Sequence, residues 1–168
     1  MGKRQILVDG DPILRKTSKN VDKFNLRLHL LLRDMADTMY EADGVGLAAP
    51  QIGVLRRIVV IDVGDGLFEM VNPEILEKSE ETQTGREGCL SVPGRAGIVT
   101  RPQRVKFRAQ DRHGSWYEQE AEGLFARAVC HELAHLDGQL YTDIMDREMT
   151  REEIEADNAR HAKEENQD

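Results

Sequence analysis

Residues Val129 to Gly138 read VCHELAHLDG and hold the strongest constraint in the chain: His131, Glu132 and His135 in the spacing H-E-x-x-H. At 100° per residue, side chains four apart on a helix point the same way, so both imidazoles can reach one ion. The spacing therefore demands a helix, and a periodic pattern from Glu122 to Leu136 supplies one. Phe125, Val129, Leu133 and Leu136 share an arc, and Leu124, Ala128, His131 and His135 share the adjoining arc. The histidines thus border the apolar side of the helix. Glu132 projects about 100° round from His131 and can approach a metal-held water without binding the metal.

Two histidines do not complete a catalytic metal site. Helical metalloproteases add a third His or a Glu downstream, but the only later histidine is His161, in a charged tail. Glu148, Glu152 and Glu153 read as solvated. A soft ligand from elsewhere is the alternative. Cys89 sits in REGCLSVPG, Arg86 to Gly94, among small residues, and a thiolate beside a divalent ion ligates well. Cys130 adjoins His131 but points about 100° away, so it reads as a small buried apolar residue.

Elsewhere the pattern is mixed. Asn25 to Glu41 predicts a first helix with Asn25 as N-cap and a stripe of Leu26, Leu28, Leu30, Leu31, Met35 and Met39. The glycine-rich GVGLAAPQIG, Gly44 to Gly53, predicts loop or irregular strand. Arg57 to Val63 reads as a strand. Phe68 to Asn72 and Ile75 to Ser79 read as two shorter strands divided by Asn72-Pro73. Arg104 to Asp111 and Trp116 to Ala121 form a hairpin. Gly138 is a helix C-cap. Thr150 and Glu153 make a capping box for a last helix that frays into HAKEENQD.

The expectation is one catalytic domain over 1–168, with 150–168 a charged helix and tail. Its class is α+β: antiparallel strands around a central metal-binding helix, with an N-terminal and a charged C-terminal helix. With 168 residues the chain can bury a sizeable core. A net charge of -8 argues against binding governed by phosphate contacts, so no direct nucleic-acid binding is expected. Two cysteines offer no disulfide framework. The first residues, MGKRQILVDGDPILRK, hold no apolar run of signal-peptide length, and no stretch is long enough to span a membrane. A cytoplasmic protein with reduced thiols is expected.

Three segments together carry a family resemblance. G-V-G-L-A-A-P-Q at Gly44 to Gln51, E-G-C-L-S at Glu87 to Ser91, and H-E-L-A-H at His131 to His135 resemble, in order and separation, the three motifs of the peptide deformylases. The likeness runs from DPILRK to just past Gly138. It implies a metal-dependent amidase that removes the formyl group from N-terminal formyl-methionine of new proteins, by attack of metal-bound water, releasing formate. It implies Cys89, His131 and His135 as ligands of one divalent ion, Fe²⁺ as the native metal and Zn²⁺ or others as alternatives. Glu132 becomes the general acid–base, and Gln51 with the backbone N–H of Leu90 the oxyanion donors. Val45, Gly46 and Gly88 would hold the substrate backbone. The methionine side chain would enter an apolar pocket near Leu124.

Two departures stand out. Members commonly carry Asp where this chain has Ala134. In some members a basic terminal helix docks on the ribosome, but Arg147 to Asp168 holds four Lys or Arg against eight Asp or Glu. N-formyl-Met nascent peptides are the expected partners, and a transient ribosome association stays open. A metalloprotease and a non-enzymatic metal-binding protein are the competing readings; formate release separates them from a deformylase.

Overall fold

A computed structural model describes residues 2–166. Helix α1 spans Leu26–Glu41, and the Asn25 side chain caps it by accepting from the Leu28 N–H. Five strands follow one another through an antiparallel sheet ordered β1-β2-β3-β6-β7: Gly46–Ala48, Ile58–Ile61, Phe68–Lys78, Arg104–Gln110 and Trp116–Glu122. Between β3 and β6 the chain leaves this sheet for a second one. There β4 (Thr82–Cys89) pairs with β5 (Val92–Pro102), and the short β8 (Arg147–Glu148) closes the order β4-β5-β8. Helix α2 is Leu124–His135, and α3 is Arg151–Asn166.

Strand β2 shows why the larger sheet is a central layer. All four of its residues are buried. Alternate side chains point to opposite faces, so Val59 and Ile61 join α2's Val129 and Leu133 and, just past its end, Leu136. Ile58 and Val60 join α1's Leu28, Leu32, Met35 and Met39. An apolar run covered on both faces cannot show polar alternation, which is why IVVI reads as it does. Each such side chain contributes about 1.5–3 kcal/mol on burial. Helix α2 is consequently wedged between the sheets, with nine of its twelve residues buried. That position holds the H-E-x-x-H face rigidly.

The two short strands expected around Asn72-Pro73 are one strand, β3, interrupted by register shifts at Val71/Glu74 and Ile75/Glu77. Asn72 takes φ 51°, and its amide bonds Val21 and Gln110, so a bulge absorbs the proline that lacks an N–H. The β4–β5 pair had no hydrophobic alternation to announce it. The capping box is present, with Thr150 Oγ1 accepting from Glu153 N–H and Glu153 accepting from Thr150 N–H. Helix α3 does not fray at His161 but continues to Asn166, exposed along most of its length. The last two residues of the tail lie outside the described range. No helix among the described residues is long and apolar enough to cross a membrane.

Candidate metal centre and cleft

The site forms where α2 passes the end of β4. Cys89 Sγ lies 3.4 Å from His135 Nε2, and one donor atom from each of Cys89, His131 and His135 falls within 4.8 Å of the others. Tetrahedral bonds of ordinary Zn–S and Zn–N length put donors about 3.6 Å apart, so the spacing fits one ion. The chemistry of the donors fits as well. His131 Nδ1 donates to the buried Glu87 carboxylate at 2.8 Å, which orients the ring and turns Nε2 toward the other donors. Burial and the charge of its neighbour His131 hold His135 neutral, its pKa well below the usual value. For His131 burial disfavours charge, yet the carboxylate of Glu132, with Cys89 and Glu87, raises its pKa to about 10. The surroundings therefore stabilise positive charge at this point, which a divalent cation would supply.

Glu132 is buried beside the cluster, with Oε1 3.9 Å from His135 Nε2 and unpaired among the described residues. Burial, partly offset by His131, pushes its carboxyl up to about 7. A cation alongside would draw it back down. Gln51, which could have been a surface amide, is 1% exposed. Its Oε1 accepts from the Ala48 N–H at 2.9 Å, and its Nε2 donates to Ser91 Oγ at 3.0 Å and faces Cys89 Sγ at 3.6 Å. The amide is thereby aimed at the cluster.

A cavity of about 300 Å³ opens over these groups, lined by Val45, Gly46, Gln51, Gly88, Cys89, Leu90, His131 and Glu132. Its walls are the outer strands of the two sheets, β1 on one side and β4 on the other. A Cβ on Gly46 would collide with the Glu132 carboxylate, and one on Gly44 would lie 2.8 Å from Leu90 Cδ1. A side chain at either position would displace the Leu90 or Glu132 side chain that borders the cleft. Leu124 is the one expected site residue not among those lining this cavity. It is 54% exposed at the start of α2 and does not line the cavity. Seven residues of helix separate it from His131, about 10 Å of axis. Ala134 is half-buried and faces a different cavity across α2. Cys130 is buried, as expected.

Sequence reasoning missed the support behind His131. Glu87 is 5% exposed and accepts from Arg101 at 2.8 and 2.9 Å and from Arg127 at 2.7 Å, besides His131. Its signal was available: on a strand, Glu87 shares a face with Cys89 two residues on.

Three donors that converge from a helix and a strand, with a buried carboxylate beside them and a cleft between two strand edges, define a metal-dependent hydrolase acting on extended peptide-like substrates. The family model for polypeptide deformylase matches residues 3–151. A peptide deformylase of Caldicellulosiruptor bescii is 59% identical over 155 residues, covering 92% of this chain and 93% of that protein. One from Lachnoclostridium phytofermentans is 57% identical over 146 residues, covering 85% and 89%. The crystal structure of peptide deformylase from Thermotoga maritima superposes with a TM-score of 0.85 at 44% identity, over 87% of this chain and 99% of that one. The chain belongs to the peptide deformylase family, the hydrolases that remove the formyl group from N-terminal formylmethionine.

Proposed function

We propose that this deformylase hydrolyses the formyl amide of formylmethionyl peptides in the cleft over Cys89, His131 and His135, with Fe²⁺ as the native ion and Zn²⁺ an alternative. Both ions suit one thiolate and two imidazoles. When bound, the ion supplies a water acidic enough to attack at neutral pH and polarises the formyl oxygen.

The chain's own groups do the rest. Glu132 takes the proton of the attacking water at its carboxylate and returns one to the departing amine. Its burial beside the donors, with Oε1 unpaired among the described residues, leaves it free to make both transfers. Gln51 Nε2 and the Leu90 N–H donate to the oxygen that gains charge. The Gln51 amide is held beside the cluster by its bonds to Ala48 and Ser91, and its second N–H, 3.6 Å from Cys89 Sγ, is the one that would turn to that oxygen. The substrate backbone lies between the outer edges of β1 and β4, along Val45, Gly46 and Gly88. The methionine side chain occupies the 300 Å³ cavity; apolar burial favours it over polar residues.

The observation that carries this reading is the approach of the Cys89 thiol to His135 Nε2, 3.4 Å, with a buried carboxylate unpaired beside them. Formate release from formyl-Met-Ala by the anaerobically prepared protein, with metal analysis of the same sample, tests it. Formate is expected with one metal per chain and with casein left uncut. Casein digestion without formate release would overturn the reading.

A further inference from the structure

On the side of α2 turned away from the metal donors lies a second cavity, of about 480 Å³, walled in part by Arg57, Lys78, Arg101, Cys130, Ala134 and Asp137. Nothing in the deformylation chemistry uses it. Its charges are unevenly settled. Arg57 pairs with Asp137 at 3.0 Å, and Glu74, also on the wall, pairs with Arg108 at 2.9 Å. Lys78 at the exposed rim has no ion pair among the described residues.

Arg101 is the unusual member. It is 6% exposed, and its Nε and Nη2 engage Glu87 at 2.8 and 2.9 Å. A guanidinium has five N–H donors, yet among the described residues the side-chain bonds of Arg101 run to Glu87 alone, from Nε and Nη2, and Nη1 is open to the cavity rather than sealed in the core. The network behind it cannot supply an acceptor. A single carboxylate, Glu87, faces two buried guanidinium groups, and Arg127 is otherwise bound only to main-chain carbonyls. A buried cation with an unused donor gains most from a charged acceptor. Ala134 presents only a methyl group to the same space, so the room for that acceptor is open.

We propose that this cavity is a binding site for a small carboxylate, held between Arg101 Nη1 and Lys78 Nζ over the Ala134 methyl group. Because Arg101 also grips Glu87, which orients His131, the bound anion stiffens the far side of the metal centre without touching substrate.

The probe is acetate, added to the zinc-loaded full-length protein against chloride at equal ionic strength, with thermal melting as the readout. A site filled at ten times its Kd raises Tm by about 3–5 °C relative to chloride. Ala134→Asp places a tethered carboxylate in the cavity; it raises Tm without acetate and abolishes the acetate-specific shift. Lys78→Ala, on the exposed rim, folds normally and moves the acetate midpoint several-fold higher. A wild-type protein that melts identically in acetate and chloride would overturn the proposal. So would an acetate shift of equal size in Ala134→Asp. Should that variant not fold, an unchanged acetate midpoint in Lys78→Ala overturns it instead.

Discussion

Replacing Glu87 by Gln removes one charge from a buried cluster and leaves three partners without it. Arg101 and Arg127, 6% exposed each, lose their only carboxylate, and His131 Nδ1 loses its ionic acceptor. Breaking a buried ion pair on one side costs about 3–5 kcal/mol, because the remaining charge stays buried. The state of Glu87 itself gives a second measure. Burial alone would raise its pKa, but hydrogen bonds from Arg101 and His131, and their charges, bring it down from 4.5 to about 2. That difference corresponds to about 3 kcal/mol favouring the carboxylate in the folded protein. For a domain of this size Tm should fall by about 6–20 °C. Loss of the orienting carboxylate should also weaken metal binding by about 10–100-fold. Urea melts of the metal-free protein measure the first effect, and competition with a graded chelator measures the second. Loss of under 1 kcal/mol together with unchanged metal affinity would refute the view that Glu87 anchors both the arginines and the His131 ring.

Cys89→Ala should lose most of the bound metal, whereas Cys130→Ala should retain it at one ion per chain; the reverse result by metal analysis would overturn the ligand assignment. Gly46→Ala places a methyl group against the Glu132 carboxylate; deformylation should fall by about 10²-fold with little change in Tm, and near wild-type turnover would contradict the close approach. Glu153 is held at about 2, first by Arg147 and then by the Thr150 N–H. The capping contact is therefore complete above the ordinary carboxyl pKa and is lost as pH falls through about 2, visible as a side-chain carboxyl chemical shift that titrates there; titration near 4.5 would mean that the start of α3 is not held as described.

The parts of this molecule that a sequence pattern can announce are those with a single exposed or buried stripe. Helix α1 and its capping Asn25 were legible, although of the expected stripe Leu26 and Leu30 are exposed while Leu32 is buried, and β6–β7 alternates across a tight turn, so it was legible too. The histidine spacing on α2 was legible for the same reason. Strands β4 and β5 were not. TQTGREGC and PGRAGIVTRP interleave glycine, charge and small residues, because β4 is an edge facing the cleft and its buried members include Glu87 rather than apolar side chains. Asn72-Pro73 reads as a strand break from composition, while a positive φ and three amide bonds turn it into a bulge within one strand. Leu124 was placed near the pocket through the family resemblance and its shared helical arc with His131. An arc fixes direction round the axis but not distance along it, and Leu124, 54% exposed, does not line the cavity beside the metal donors.

The separation of Glu132 from the metal's ligands is the centre of the account, and one paired measurement reaches it directly. Glu132→Gln is isosteric, and its neighbours His131 and His135 keep their places, so metal analysis should still find one ion per chain. The amide cannot take up a proton, so formate release from formyl-Met-Ala should fall by at least ~10²–10⁴-fold, mainly in kcat. A Glu132→Gln protein that keeps its metal and deformylates near the wild-type rate would contradict the mechanism, and one that loses the metal would make Glu132 a ligand instead.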